Sequence, residues 1–285
     1  MDKASWSRLP GRGVVGVEGP ESRHFLQNLI TNDVDGLQPG DTCYAALLSP
    51  QGKILFDFIV FAIDGGFLLD LPRSAANDLI ARLALYRLKA DVEITDHSND
   101  LEVQAAWGMA NPPTGFLVDP RLPALGFRRV VPVDSDRNKA SAESDEKTYA
   151  AHRISLGVPE GDSDYAYSDA FPHDANIDLL RGVDFAKGCF VGQEVVSRMQ
   201  HRGTARRRIV QVRGETLSEG AEITDGGRPI GTVGSTSDDT GIAMVRIDRA
   251  AQAIAAGHKL TVNGTTIEIQ IPVWATFELK SPVEG

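Results

Sequence analysis

The sequence predicts an α+β protein: mixed sheets and helices over residues 1–205, then a small antiparallel β-barrel over 206–285. Three observations carry that expectation. Apolar runs of strand length alternate with helical stretches, without the regular strand–helix repeat of a parallel sheet. A polar, charged stretch at 134–148 (DSDRNKASAESDEKT) reads as a solvent loop or linker within the first part. From Ile209 onward the texture changes to short strands between turn signals, Gly226-Gly227 and Asn263-Gly264.

Taken in order, 13–17 (GVVGV) is a short apolar strand broken by Gly19-Pro20. Residues 21–30 read as a helix with Phe25, Leu26, Leu29 and Ile30 on one face, ending at Thr31-Asn32-Asp33. Strands follow at 41–48 and 54–63, joined by the turn Ser49-Pro50-Gln51-Gly52-Lys53. The second places Asp57 on the same face as Leu55, Ile59 and Phe61, where a carboxylate must be paired, hydrogen-bonded or open to a pocket. After a strand at 67–71, Ser74 is the expected N-cap of a helix to about 88, with Leu79, Ile80, Leu83 and Tyr86 inward. Strands at 92–94, 101–107 and 126–133 and a helix at 149–156 closed by Gly157 complete the first part. In the barrel, Ile267, Ile269 and Ile271 share one face of a strand, and a short helical piece lies near 250–255.

A chain of 285 residues is long enough for two cores, and a net charge of -10 argues against a general nucleic-acid binder. Two cysteines make no disulfide framework and suit a reducing compartment. The N-terminus has no apolar core of signal-peptide length, and no run approaches the roughly 20 apolar residues of a membrane span. The expected location is the cytoplasm, or the mitochondrial matrix if a targeting segment is missing. The expected state is a monomer with no membrane partner.

The chemistry concentrates at 187–194, KGCFVGQE. Glycines flank Cys189 and let the backbone bend sharply toward a ligand. A short helix from Gln193 to Met199 follows, and its dipole, with Lys187 and Arg198 if they fold back, favours thiolate over thiol. Cys189 is therefore a candidate reactive cysteine or metal ligand; the alternative is a buried structural cysteine in a tight turn.

The string resembles the signature K-G-C-[FY]-x-G-Q-E of the YgfZ-like folate-binding proteins, relatives of the T-protein (aminomethyltransferase) of the glycine cleavage system. It matches at Lys187, Gly188, Cys189, Phe190, Gly192, Gln193, Glu194 and Arg198. The resemblance extends to FLQNLITNDV, to the strand pair around the Pro-x-Gly turn, to Phe171-Pro172-His173-Asp174-Ala175-Asn176 and to Pro229-Ile230-Gly231-Thr232-Val233-Gly234-Ser235. It implies a T-protein-like folate-binding domain at 1–205 and a C-terminal β-barrel at 206–285. It implies tetrahydrofolate as ligand and a role in assembling or repairing iron–sulfur clusters in client proteins, tRNA-modifying enzymes among them. A cluster would be held in passing, shared with a partner or with glutathione.

The same resemblance assigns chemistry to Cys189, Lys187 and Asp57. It assigns folate contacts to Asn32, Asp33, Asp57, His173, Asn176, Gly188, Gly192, Gln193, Glu194, Arg198 and Arg202. Turn chemistry at Asn32-Asp33 and ordinary buried polar roles for Asp57, His173 and Asn176 are the competing readings. Phe56 stands where the family has a second aspartate, which weighs against aminomethyl transfer, although a folate-dependent one-carbon transferase remains the main alternative.

Arg198, Arg202, Arg206, Arg207, Arg208 and Arg213 fall in a stretch (195–214) without acids. They are candidates for an anionic folate tail or for tRNA, or they are solvated stems over apolar surface. A Cys–His nucleophile with His173 or His201 is a weaker option. No CxxC pair, Walker loop or GxGxxG accompanies these motifs, and two cysteines cannot hold a cluster that needs four thiolates.

Overall fold

The computed structural model describes residues 4–133, 135, 142–203 and 205–279. Of the charged stretch expected as a loop at 134–148, residues 134 and 136–141 lie outside them; the rest is not all loop, because a short strand takes Ala142–Glu143 and a helix begins at Glu146. The chain divides into two compact units, Met1–Tyr149 with Leu180–Gln193, and Ala150–Leu179 with Glu194–Gly285. The first barrel strand begins at Arg207, and the second unit takes in 150–179 and 194–205 besides the residues from 206 onward.

The first unit runs β1 (Ser5–Arg8), β2 (Arg12–Glu18), α1 (Ser22–Gln27), β3 (Thr42–Leu48), β4 (Ile54–Ile63) and β5 (Gly66–Pro72). Then come α2 (Ala76–Arg87), β6 (Glu93–Asp96), β7 (Leu101–Trp107), β8 (Leu117–Val118), β9 (Phe127–Pro132) and β10 (Ala142–Glu143). Among the described residues these strands form two sheets, in the orders β3-β4-β5-β2-β6 and β10-β1-β7-β9-β8. β4 (ILFDFIVFAI) is buried along most of its length because both of its faces are covered.

Ser74 is not a helix N-cap. It lies within a 3-10 turn, Arg73–Ala75, entered from Pro72, and α2 begins after Ala75 without a side-chain cap. α2 buries Ala76, Leu79 and Leu83. A lattice of charge runs through this unit. Asp70 accepts from Arg12 Nε at 2.6 Å and from Arg128 Nε at 2.5 Å. Asp119 accepts from Arg121 at 2.7 Å, and Arg121 and Arg128 both donate to the Tyr149 hydroxyl. Each member is buried, which only such pairing makes tolerable.

α3 (Glu146–Ser155) and α4 (Gln193–Arg202) follow in the chain, then β11 (Arg207–Arg213), β12 (Glu222–Asp225), β13 (Arg228–Ser237), β14 (Thr240–Arg246), α5 (Ile247–Ala255), β15 (Leu260–Val262), β16 (Thr265–Thr266) and β17 (Glu268–Gln270). In the second unit the described strands form one antiparallel sheet, β16-β15-β12-β13-β14-β11-β17. Its two end strands are neighbours in sequence, so the sheet curls into a nearly closed barrel around Val210, Ile223, Val233, Val245 and Val262. The Asn263-Gly264 hairpin is present, with φ of 50° and 80° at its two turn residues. The helical piece is longer than expected, and the single strand expected to carry Ile267, Ile269 and Ile271 is instead β16 and β17 with Ile267 between them. The architecture is α+β: mixed sheets and helices first, an antiparallel barrel last. No helix among the described residues is long and apolar enough to cross a membrane.

Candidate functional site

The KGCFVGQE loop belongs to the first unit as far as Gln193 and is fastened to two other parts of that unit. One fastening is the segment after α1. Thr31 Oγ1 donates to Gly182 O, and Asp184 N donates to Thr31 O at 2.9 Å. Asp184 Oδ1 accepts from the backbone of Ala186 and Lys187, which shapes the turn. Lys187 is 9% exposed, and its ammonium donates to Ile30 O at 2.9 Å and Asn32 O at 2.6 Å. The same nitrogen lies 5.7 Å from the centre of the buried Phe190 ring.

The other fastening is the β3–β4 turn. Gly192 has φ +81°, and a Cβ there would stand 2.5 Å from Ser49 O and 3.1 Å from Gly52 Cα. Only glycine allows that backbone so close.

Between the two fastenings the loop is open. A side chain at Gly188 would meet nothing within 4 Å, and Cys189 is an exposed free thiol. The structure thus rejects the buried-cysteine alternative. It also corrects how the charges were expected to act. Lys187 turns to backbone carbonyls, and burial depresses its pKa, opposed by Asp33 and Cys43. Arg198 donates to Glu194 at 2.6 Å in an exposed pair one helical turn apart. α4 starts at Gln193, where the sequence places it, and runs on to Arg202. Gln193 contributes a backbone N–H to Phe190 O at 3.2 Å. Arg202 is exposed on α4 in the second unit.

Asp57 is 4% exposed and accepts from the Tyr44 hydroxyl at 2.9 Å. Tyr44 lines a cavity of about 420 Å³ with Asn32, Cys43, Asp119 and Arg181. The Asn32 side chain donates to Tyr44 O and Arg181 O, both at 2.7 Å, and accepts from Asp33 N. Asp33 accepts from Gln27 Nε2 at 2.6 Å. The turn-chemistry reading therefore accounts for both residues. The Cys43 thiol is pushed up to about 12 by burial, so it stays protonated.

His173 and Asn176 lie in the second unit, apart from the unit that holds Cys189 and Asp57. His173 Nε2 meets Gln200 Oε1 at 3.0 Å. Asn176, at φ +58°, donates to Ile209 O at 2.9 Å. The acid-free arginine stretch finds its acids elsewhere in the chain. Arg207 pairs with Asp169 and Asp174, and Arg208 forks onto both oxygens of Asp178 at 2.7 and 3.0 Å.

Sequence reasoning missed those three aspartates, and also Tyr44, Thr31 and Arg181. The only sequence signal for the aspartates was their own density in 169–178. Among the described residues no three His, Cys, Asp or Glu side chains group as a metal site.

Comparison with known proteins gives three findings. Residues 12–110 match the family described as GCVT N-terminal domain, and residues 206–277 the one described as CAF17, C-terminal beta-barrel domain. The chain is 37% identical over 224 residues to the iron-sulfur cluster assembly factor IBA57 homolog, mitochondrial, of Mycosarcoma maydis, covering 72% of this chain and 56% of that protein. It is 30% identical over 281 residues to the iron-sulfur cluster assembly factor IBA57, mitochondrial, of Homo sapiens, covering 85% and 78%. Against the fungal relatives, then, it spans little more than half their length. The crystal structure of glycine cleavage system aminomethyltransferase T from Bartonella henselae superposes with a TM-score of 0.75 over 96% of this chain and 87% of that one, at 18% identity. The fold is of the T-protein type.

Proposed function

The chain belongs to the IBA57-type family of iron–sulfur cluster assembly factors, and we propose on that premise that it lends Cys189 as a single thiolate ligand to a cluster in transit. The observation that carries this reading is the exposed thiol between the Lys187 and Gly192 fastenings. The cluster is cargo. With Cys43 buried, this chain offers one accessible sulfur, and the remaining ligands come from a partner protein or glutathione. The partners are iron–sulfur carriers and clients, tRNA-modifying enzymes among them. The two unpaired thiols fit a reducing compartment, and the relatives are mitochondrial by name, which supports the mitochondrial matrix as the proposed location. The KGCFVGQE string supports placing the chain beside the YgfZ-like proteins.

Tetrahydrofolate is the proposed small-molecule ligand of the first unit. The cavity beside Tyr44 has a volume suited to a small molecule. Its Arg181 guanidinium, without a hydrogen bond or ion pair to a described residue, suits a folate carboxylate, and Tyr44 backed by Asp57 supplies a polar wall. Asn32 lines the cavity with its side-chain groups already committed, so it shapes the wall. Bound there, tetrahydrofolate would supply a reduced ring able to accept one-carbon units. Aminomethyl transfer is disfavoured by Phe56 in place of a second aspartate. RNA binding is disfavoured because Arg207 and Arg208 are already paired.

A deletion strain tests the thiol. Wild type should restore iron–sulfur enzyme activity, and Cys189→Ser should not; full restoration by Cys189→Ser ends the reading. Titrating tetrahydrofolate against tryptophan fluorescence tests the ligand separately. Wild type and Cys189→Ser should bind alike, and absence of binding in both removes folate.

A further inference from the structure

The second unit holds a cavity of about 570 Å³, lined in part by His173, Arg206 and Arg208, which the sequence offered to folate or to tRNA. Met199, Ile247 and Phe277 supply apolar wall, and buried His173, paired with the exposed Gln200, adds a polar side. Arg208 lines it as well. Its guanidinium lies 5.4 Å from the Phe277 ring centre and is held on Asp178, so its position is fixed and its charge is spent. Arg206 differs. It reaches the same cavity, and its side chain has no hydrogen bond or ion pair to any described residue.

We propose that this cavity binds a small organic monocarboxylate with an aromatic or aliphatic body, anchored on Arg206. The volume falls in the range of small-molecule sites. The apolar walls suit the body of such a ligand, and a planar guanidinium suits a carboxylate. Charge decides against a polyanion. Asp248 and Glu278 line the cavity too; Asp248 is already met by Arg246 at 2.7 Å, so Arg206 is the cation left to meet a single anionic group. A phosphate chain or a polyglutamate tail would bring further negative charge against those acids, a like-charge contact that binding sites avoid. A single carboxylate on Arg206 avoids it.

The test uses the full chain and two probes of similar shape, 4-phenylbutyrate and the uncharged 4-phenylbutanol, titrated by ligand-observed NMR. The acid should bind about tenfold or more tightly than the alcohol, the weight of one hydrogen bond to a charged group. Arg206→Gln, at an exposed position that folding tolerates, should remove that advantage and leave the alcohol unchanged. Met199→Trp should fill the cavity and weaken both. The proposal is overturned if acid and alcohol bind equally, if Arg206→Gln leaves the acid's affinity intact, or if the acid fails to bind at millimolar concentration. Tighter binding of tetraglutamate than of the monoacid, lost in Arg206→Gln, overturns it as well.

Discussion

Replacing Gly192 with alanine tests whether the signature loop is held by its backbone. A left-handed φ costs an L-residue roughly 1–2 kcal/mol. The new Cβ would also stand 2.5 Å from Ser49 O and 3.2 Å from Leu48 Cβ, where backbone must move. Forced overpacking of that kind adds roughly 1–3 kcal/mol. Loss of glycine's freedom in the unfolded chain returns about 0.4–1 kcal/mol. The net expectation is a destabilisation of about 2–4 kcal/mol, a large effect for one methyl group. Urea unfolding measures it, in a Trp274→Phe background so that the signal comes from Trp6 and Trp107 in the first unit. Gly188→Ala is the control, since nothing lies within 4 Å of its Cβ, and it should stay within about 0.5 kcal/mol. The reasoning fails if Gly192→Ala loses less than about 1 kcal/mol, or if Gly188→Ala loses as much as Gly192→Ala.

Lys187→Met strands the buried carbonyl of Ile30 and the half-buried one of Asn32, and should cost about 1–3 kcal/mol in the same urea assay. Arg208→Ala leaves the buried Asp178 uncompensated and should cost roughly 3–5 kcal/mol, whereas Arg198→Ala, which breaks an exposed pair, should cost under about 0.5 kcal/mol. Burial raises the Cys43 thiol from 9.0 to about 12, so its contribution is intact below pH 9 and is lost as pH climbs toward 12. That loss amounts to about 1.4 kcal/mol per pH unit, and Cys43→Val should flatten the decline in stability measured from pH 8 to 10. At pH 8 a thiol-reactive disulfide reagent should label Cys189 within the fold, and Cys43 only after denaturant is added.

Long apolar runs were legible as strands, and β4 falls where its pattern placed it because burial on both faces leaves no room for another reading. β1 (SWSR) was not legible; Trp6 is its only large apolar residue, and the neighbouring strand β7 makes the pairing. The cysteine was legible as chemistry, but the direction of its neighbours was not. Lys187 looked like a cation for the thiol until the carbonyls of Ile30 and Asn32, far off in sequence, claimed it. The arginine stretch looked like uncompensated charge for the same reason, since Asp169, Asp174 and Asp178 come from another segment. Local pattern shows what a side chain is able to do, and its partner is chosen by contacts that only the folded chain makes.

Lys187 and Ile30 are 157 positions apart, so the hydrogen bond that sets the sulfur's perch joins the beginning of the polypeptide to its latter half. Contacts of such long sequence separation close late in folding. A ribosome-bound or half-assembled molecule therefore has no finished perch to display, and the presentation of the Cys189 thiol becomes a property of the completed chain alone.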